Sequence, residues 1–308
     1  MWMVGKRGEN MNNRQCNLKE ISEIIGIDFI GQNVDINALN LCSRDFLHNK
    51  VLSYVANEKF IKYLSKEEIR AVFISKNHYD ELEQGIKDKK SFFLVDNPEK
   101  VFYDLHNYLY KNTDFYKVEL SSKVGENVVI HPTAYVENGV TIGNNVTIGP
   151  KAIIHSNTVI GDNVEINSGA IIGSQGFQLL YDEKVPYMAK HVGGVKIGNN
   201  VLIGANTTIA NSLFEGYTEI GNNTKIDDLV FIAHNCKIGE NCVLIAGAIM
   251  TGSSSLDDNV WLAPNSVILN QINVSKNSFI GASSLVTKNV DENTKVFGLP
   301  AKKIGRMS

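Results

Sequence analysis

The feature that most constrains the fold is an aliphatic residue that returns at every sixth position through most of the chain. The residues that keep this register are Val124, Ile130, Val136, Ile142, Ile148, Ile154, Ile160, Ile166, Ile172, then Ile197, Ile203, Ile209, then Ile220, Ile226, Ile232, Ile238, Leu244, Met250, Leu256, Leu262, Ile268, Val274, Ile280 and Val286. A period of six matches neither the 3.6-residue turn of an α-helix nor the two-residue alternation of a long strand. It is typical of short strands that each send one side chain inward, three strands to a coil, so the sequence predicts a parallel β-helix.

The register also divides the chain. Residues 1–16 are expected to be a disordered extension, and residues 17–117, with alternating helical and strand patterns, a small α/β domain. Residues 118–291 are predicted to form the β-helix, with a loop at 178–194 excluded from the coil, and residues 292–308 a C-terminal tail. The predicted fold class is therefore mainly β, a parallel β-helix of hexapeptide repeats preceded by a small α/β domain. Loops excluded from a rigid scaffold often carry function.

Composition limits the function classes. The 308 residues have a formal net charge of −3, so the basic face of a nucleic-acid-binding protein is not expected. Apolar runs fall short of the roughly 18 residues of a membrane span, and the N-terminus lacks the apolar segment of a signal peptide. A cytoplasmic protein is expected. The spacing of the cysteines favours neither a zinc site nor a disulfide, so no metal is expected.

Positions 18 apart stack on successive coils, and one such column carries reactive groups. It starts at His234 and continues through Gly252, Asn270 and Lys288. A histidine accepts a proton near neutral pH, the bare N–H of a glycine suits an oxyanion, and a lysine suits a phosphate. Outward positions of such a coil are generally polar, so a chance arrangement is the alternative. His191, in the excluded loop, is a weaker candidate for substrate contact.

Three segments carry a specific resemblance. They are IAHNCKIGENCVLIAGAIMTGS at 232–253, LSYVANEKFIKYL at 52–64 and IGSQGFQ at 172–178, which contains Gly176 and Phe177. In this order they closely resemble segments of the UDP-3-O-acylglucosamine N-acyltransferases of the lipid A pathway. The resemblance implies a homotrimer of left-handed β-helices with active sites between subunits.

The resemblance also implies roles for individual residues. His234 matches the general base of the family, and Gly252 matches its oxyanion donor. Tyr54 matches an aromatic residue that stacks on the nucleotide base, Asn57 an amide that hydrogen-bonds the base edge, and Phe60 stands where the family usually has tyrosine. Gly176 and Phe177 match a segment that opens the excluded loop toward the sugar.

The chain departs from this family at three places. The ending VFGLPAKKIGRMS resembles that of coenzyme A-dependent hexapeptide acyltransferases, whereas the lipid A enzymes end in a helical extension that engages acyl carrier protein. The Asp-Arg-Gly run of the family is replaced by Ala210-Asn211-Ser212, which removes a carboxylate expected to meet the sugar. A histidine that the family uses near the acceptor lipid is replaced around Asn270 and Gln271.

These departures lead to an expectation about both substrates. The chain is expected to move a short acyl group, with or without a hydroxyl, from acyl-coenzyme A to a dTDP- or UDP-linked amino deoxysugar for surface glycans, as in the anthrose pathway. Coenzyme A is expected to contact Asn270, Lys288, Pro300, Ala301 and Lys302. The alternatives are a lipid A N-acyltransferase that uses acyl carrier protein, and a non-catalytic scaffold that binds nucleotide sugars. A hexapeptide carbonic anhydrase is disfavoured because no cluster of three histidines is evident.

Overall fold

The chain forms two compact units. The structure, a computed structural model, describes residues 15–117 and 120–306, apart from the side chains of Ala301 and Arg306. The first unit comprises residues 1–118 and 179–190, and the second comprises residues 119–178 and 191–308. Most of the predicted N-terminal extension, residues 1–14, lies outside the described residues.

The first unit is built on a five-stranded sheet. Its strands lie in the order Phe29–Ile30, Ser91–Leu94, Ile69–Ile74, Val51–Val55 and Ala38–Leu39. All neighbouring pairs are parallel except the first, which is antiparallel. A separate antiparallel pair joins Cys16–Asn17 to Asp35–Ile36. The central strands are buried on both faces, which is why they are continuous apolar runs such as AVFI.

Four α-helices and one 3₁₀ helix complete the described part of this unit. They are α1 (Leu18–Ile25), the 3₁₀ helix Glu58–Ser65, α2 (Lys76–Asp80), α3 (Gln84–Lys87) and α4 (Pro98–Asn112). Helix α1 begins with a capping box between Asn17 and Glu20 and ends at Gly26 in the left-handed conformation, φ 69°. Helix α4 begins with Pro98 in its first turn, where a missing N–H does no harm, and buries Phe102, Leu105 and Leu109 among its apolar residues.

The segment excluded from the register is a hairpin that packs on helix α4. Its strands, Leu179–Asp182 and Val185–Met188, are antiparallel. The Tyr187 hydroxyl donates to Asp104 at 2.8 Å, and the Asn107 amide donates to the Met188 carbonyl at 3.0 Å. The hairpin is therefore part of the first unit, although residues on both sides of it belong to the second.

The second unit is a parallel β-helix with three faces. In the described residues the first face contains Lys123–Val124, Thr141–Ile142, Thr158–Ile160, Gly194–Ile197, Tyr217–Ile220, Lys237–Ile238, Ser255–Leu256 and Asn273–Val274. The second face contains Val129–Ile130, Thr147–Ile148, Glu165–Ile166, Leu202–Ile203, Lys225–Ile226, Val243–Leu244, Trp261–Leu262, Phe279–Ile280 and Thr294–Gly298. The third face contains Tyr135–Val136, Ile153–Ile154, Ile171–Ser174, Thr208–Ala210, Phe231–Ile232, Ile249–Met250, Val267–Ile268 and Leu285–Val286.

The aliphatic register forms the core of this helix. Its residues face inward and are almost entirely buried from Ile142 onward, whereas Val124 and Ile130 in the first coil remain exposed. Asparagines at positive φ make many of the turns, because asparagine tolerates the left-handed conformation better than most residues. The predicted fold class, a left-handed β-helix of hexapeptide repeats with a small α/β domain, is confirmed.

The C-terminal strands extend the second face beyond the predicted boundary at residue 291. Thr294–Gly298 pairs in parallel with Phe279–Ile280, and Ala301–Arg306 then folds back antiparallel. The segment predicted as a tail is therefore largely a hairpin of the helix itself.

Two kinds of feature are absent from the part of the chain that the structure describes. None of its helices has both the length and the apolar composition that crossing a membrane requires. Within the same residues, no three His, Cys, Asp or Glu side chains are grouped as metal ligands.

The inward register predicts unequal effects for two adjacent leucine-sized residues. Ile203 is fully buried and its neighbour Leu202 faces outward on the second face. Ile203→Ala should lower the free energy of unfolding by about 2–5 kcal/mol because it leaves a cavity. Leu202→Ala should cost less than about 1 kcal/mol. Urea denaturation at one protein concentration measures both, and equal losses would contradict the inward assignment.

Candidate active site

Both insertions of the described part of the helix leave it at the same corner. We call this the insertion corner, which joins the third face to the first face of the next coil. Residues 175–193 leave between Ile171–Ser174 and Gly194–Ile197, and residues 211–216 leave between Thr208–Ala210 and Tyr217–Ile220. His234 and Gly252 occupy this same corner in the next two coils. The insertions therefore border the predicted catalytic column.

The structure places His234 directly against Gly252. Strand pairing aligns Ile232 with Met250, so the two turns that follow are stacked. A Cβ atom on Gly252 would lie 2.7 Å from both Cε1 and Nε2 of the His234 ring. Only glycine leaves the imidazole this position. The geometry thus brings together the first two members of the predicted column.

Gly252 also changes how the turns are capped. At the same position in many turns, the backbone N–H donates to a side-chain oxygen one coil later. Examples are Glu126 N–H to Asn144 at 2.9 Å, Asn144 to Asp162 at 2.7 Å and Glu240 to Asp258 at 2.7 Å. Within the described residues the Gly252 N–H donates to no acceptor. It is therefore a donor suited to an oxyanion beside the imidazole.

The two ends of the excluded segment form a wall of the site. The rings of His191 and His234 meet edge to face with centroids 5.1 Å apart, and His191 is 5% exposed. A Cβ on Gly176 would lie 3.0 Å from the Cβ of His234 and closer still to the His191 ring. The structure thus brings Gly176 and His191 to His234, whereas the Phe177 side chain is 73% exposed.

Asn211 holds these two ends together. Its side-chain oxygen accepts a hydrogen bond from the Gly176 N–H at 3.3 Å, and its amide donates to the Gly193 carbonyl at 3.2 Å. Sequence reasoning treated Asn211 only as part of a departure from a family motif. No spacing signal identifies it, because both partners lie in an insertion.

Asn235 was also missed. Its side-chain oxygen lies 2.9 Å from Nδ1 of His234, and its amide donates to the buried Ser212 hydroxyl. Asparagine is the commonest non-glycine residue at the positive-φ positions of this helix, so its identity alone carried no functional signal.

The remaining members of the column lie on the surface. Asn270 and Lys288 are both exposed. Lys288 lines a cavity of about 330 Å³ at the C-terminal end of the helix, together with Pro300, Lys302 and Lys303. Three lysines and one carboxylate, that of Asp291, line the cavity, so its charged side chains favour an anionic group. The predicted contact through the Ala301 side chain lies outside the described atoms.

The predicted base-binding residues lie in the first unit, at the carboxyl end of a parallel strand. Tyr54 belongs to Val51–Val55, and its hydroxyl donates to Glu99 at 3.2 Å while its ring packs on Phe102 at 4.9 Å. Burial, together with neighbouring Tyr103 and Glu99, raises the pKa of the Tyr54 hydroxyl, so it stays protonated. Asn57 caps the 3₁₀ helix through the Lys59 N–H, and the half-buried Phe60 lies in its first turn. Carboxyl ends of parallel strands are common ligand sites.

Comparison with known proteins gives a consistent result. Residues 121–156 and 217–252 match the bacterial transferase hexapeptide family (six repeats). The chain is 37% identical over 304 residues to UDP-3-O-acylglucosamine N-acyltransferase 1 of Sulfurimonas denitrificans, covering 92% of this chain and 93% of the relative. It is 36% identical to UDP-3-O-acylglucosamine N-acyltransferase of Campylobacter lari, covering 91% of each. Among solved structures, UDP-N-acetylglucosamine acyltransferase from Campylobacter jejuni matches with a TM-score of 0.55 and 30% identity, over 61% of this chain and 71% of that one.

These relatives correct the expected substrates. The expectation of an acyl-coenzyme A donor and a dTDP- or UDP-linked deoxysugar is wrong, because the relatives that match nearly the whole chain are UDP-3-O-acylglucosamine N-acyltransferases. The expectation gave too much weight to the Leu-Pro-Ala-Lys motif. In the structure this motif forms the turn of the hairpin that extends the second face, a role that needs no coenzyme A.

The two hydrogen bonds by which Asn211 joins Gly176 to Gly193, which we call the Asn211 clamp, predict a local change in dynamics. Asn211→Ala removes one acceptor and one donor from the ends of the excluded segment. The peptide around Gly176 should exchange amide hydrogens about three- to tenfold faster, as expected for one lost hydrogen bond. Hydrogen–deuterium exchange with mass spectrometry measures this rate. Asn144→Ala, which removes a cap at another corner, is the control, and equal rates in the two variants would contradict the clamp.

Proposed function

Because the chain belongs to the UDP-3-O-acylglucosamine N-acyltransferase family and is an acyltransferase, we propose that it N-acylates a UDP-linked 3-O-acylglucosamine for lipid A synthesis. The observation that carries the proposal is the His234 ring lying on Gly252, with the Gly252 N–H donating to no acceptor in the described residues. A base and an oxyanion donor at one point are what amide formation from a thioester requires.

The proposed reaction is a direct transfer. The sugar amine attacks the thioester carbonyl and forms the new C–N bond, while Nε2 of His234 accepts a proton from the nitrogen. The Gly252 N–H stabilises the tetrahedral oxyanion. The intermediate then collapses, the C–S bond breaks, and the sulfur leaves as a thiol with the proton that His234 had accepted. Gly176 and His191 limit the space around the attacking amine.

The acceptor is proposed to be held through its nucleotide by the first unit. Tyr54 would stack on the uracil ring, Asn57 would hydrogen-bond its edge, and Phe60 would contribute apolar surface. The position of these residues at and just after the end of a parallel strand supports the assignment. Phe177, which is largely exposed beside Gly176, is available to contact the sugar or its acyl chain.

The donor is proposed to be an acyl chain on acyl carrier protein. The thioester of such a carrier hangs from a phosphopantetheine arm, which has one phosphate. The cavity lined by Lys288, Pro300 and Lys302 supplies cations for that phosphate. Lys288 is three coils, roughly 14 Å, along the column from His234, which an extended arm can span.

The third face supports assembly as a homotrimer. Seven of its eight described outward residues are apolar or aromatic, whereas those of the first face are mostly polar. The outward residues of the third face are Tyr135, Ile153, Ile171, Thr208, Phe231, Ile249, Val267 and Leu285. A contiguous apolar column on a surface marks an interaction site. Because the insertion corner borders this face, the site would lie between subunits.

The function predicts a specific donor and acceptor. Purified protein should convert UDP-3-O-(3-hydroxyacyl)glucosamine and 3-hydroxyacyl carrier protein into the N-acylated product, detected by mass spectrometry. His234→Ala should lower kcat by about 10²-fold or more, because the general base is lost. Circular dichroism checks that the variant is folded. No product from the wild type would refute the function, and near-normal kcat in His234→Ala would refute the role of the histidine.

The trimer predicts a change in mass on substitution at the third face. The wild type should have three times the 34.1 kDa of one chain by light scattering. Ile249→Lys should yield monomers, because a lysine at a packed apolar contact is an unpaired buried charge. Val129→Lys is the control, since Val129 is an exposed valine on the second face. A monomeric wild type, or a trimeric Ile249→Lys protein, would contradict this interface.

A further inference from the structure

The Ala210-Asn211-Ser212 run lies one coil before His234 on the insertion corner. Ser212, which stands where the resembled motif has glycine, is 3% exposed. Its backbone is fixed on both sides, since its N–H donates to the Gly194 carbonyl at 3.2 Å and its carbonyl accepts from the Gly193 N–H at 3.0 Å. Its hydroxyl therefore has a defined position, and it accepts a hydrogen bond from the Asn235 amide.

The contacts of Asn235 fix which way its amide group faces. The side-chain oxygen accepts from the Leu213 N–H at 3.2 Å, and the nitrogen donates to Ser212. The reversed orientation would set the NH₂ group against the Leu213 N–H, two donors facing each other. Both contacts come from the short insertion at residues 211–216. The oxygen is therefore the atom that lies 2.9 Å from Nδ1 of His234.

This orientation determines the protonation of the histidine. An amide oxygen can only accept, so Nδ1 of the neutral imidazole must carry the proton. Nε2 then carries the basic lone pair of the ring, and it lies over Gly252 together with Cε1. Other turn asparagines of the helix bond one another in ladders, as Asn145 does with Asn163 at 3.1 Å, so the arrangement at Asn235 is a departure from the usual turn.

We propose that Ser212 and Asn235 are positioning residues, with Ser212 acting through Asn235 to hold His234 in the tautomer whose Nε2 accepts a proton. The inference rests on the proposed function, in which His234 is the general base. It goes beyond that function because it assigns a role to a serine that replaces a glycine of the resembled motif. Asn235 belongs to a turn of the repeat, and the short insertion at residues 211–216 supplies the contacts that orient its amide.

Nitrogen NMR on protein with ¹⁵N-labelled histidine tests the tautomer without any substrate. The His234→Gln variant identifies the His234 signals. Above the pKa of the ring, the wild type should show a protonated Nδ1 and a bare Nε2. Asn235→Gly should show a mixture of tautomers, because glycine tolerates the backbone at φ 61° while removing the amide. Asn241→Gly, at φ 57° on another corner, is the control and should leave His234 unchanged. A bare Nδ1 in the wild type would overturn the proposal.

Kinetics test whether the His234 tautomer that Ser212 and Asn235 hold serves the reaction. Asn235→Gly should lower kcat by about 10-fold or more with KM little changed, and Ser212→Ala by a smaller factor. The double variant should be no slower than Asn235→Gly, since Ser212 acts through Asn235. Additive losses of kcat in the double variant, or an Asn235→Gly variant with wild-type kcat, would contradict the proposal that Ser212 acts through Asn235 on His234.

The Asn235→Asp variant supplies the matching pH test. A carboxylate keeps the accepting oxygen but places a negative charge beside the imidazole, which raises the pKa of His234 by about 1–3 units. Since the base must be unprotonated, the acidic limb of kcat/KM should move to higher pH, with activity retained above it. The ring of His191 also contacts His234, so the shift is measured again in a His191→Gln background. If the acidic limb of kcat/KM stays at the same pH in both backgrounds, the contact between residue 235 and His234 is refuted.

Discussion

The stacking of parallel strands in strict register is the constraint on which the rest of this structure depends. Each coil lies about 4.8 Å from the next, and each strand sends one aliphatic side chain into a shared core. Because the core is continuous, a residue at any corner is fixed relative to the residue one coil later. This is why His234 and Gly252, which are one coil apart in the sequence, are in contact through the Cε1–Nε2 edge of the histidine ring. The catalytic proposal uses this rigidity.

The interruptions at the insertion corner turn a generic corner into a site. A regular coil caps the N–H of each turn with a side chain from the next coil, as between Asn144 and Asp162. Gly252, one coil after His234, has no side chain to fill this position, so the His234 ring has room. The two insertions then bring His191, Asn211 and Ser212, which the repeat itself could not supply. The repeat positions His234 and Gly252, and the insertions supply the residues that surround and orient the histidine.

The six-residue period alone predicted the parallel β-helix and the stacking of Gly252 next to His234, whereas the left-handed form followed from the family resemblance and the α/β domain from its helical and strand patterns. The sequence did not predict Asn235, because asparagine at positive φ is what the turns need throughout this helix. Nor could it place the excluded hairpin on helix α4, where the Tyr187 to Asp104 contact joins residues 83 apart with no periodic signal. The donor was misjudged because the Leu-Pro-Ala-Lys motif makes a hairpin turn as well as it would make a ligand contact.

The proposed function depends on His234 being the group that meets the acceptor amine. A crystal structure of the protein with a UDP-linked 3-O-acylglucosamine tests this most directly. We expect the sugar nitrogen to lie within hydrogen-bonding distance of Nε2 of His234, on the Gly252 side of the ring. A well-ordered acceptor whose amine lies away from the insertion corner would contradict this role of His234. An example is an amine beside His155, whose ring is hydrogen-bonded to Glu137.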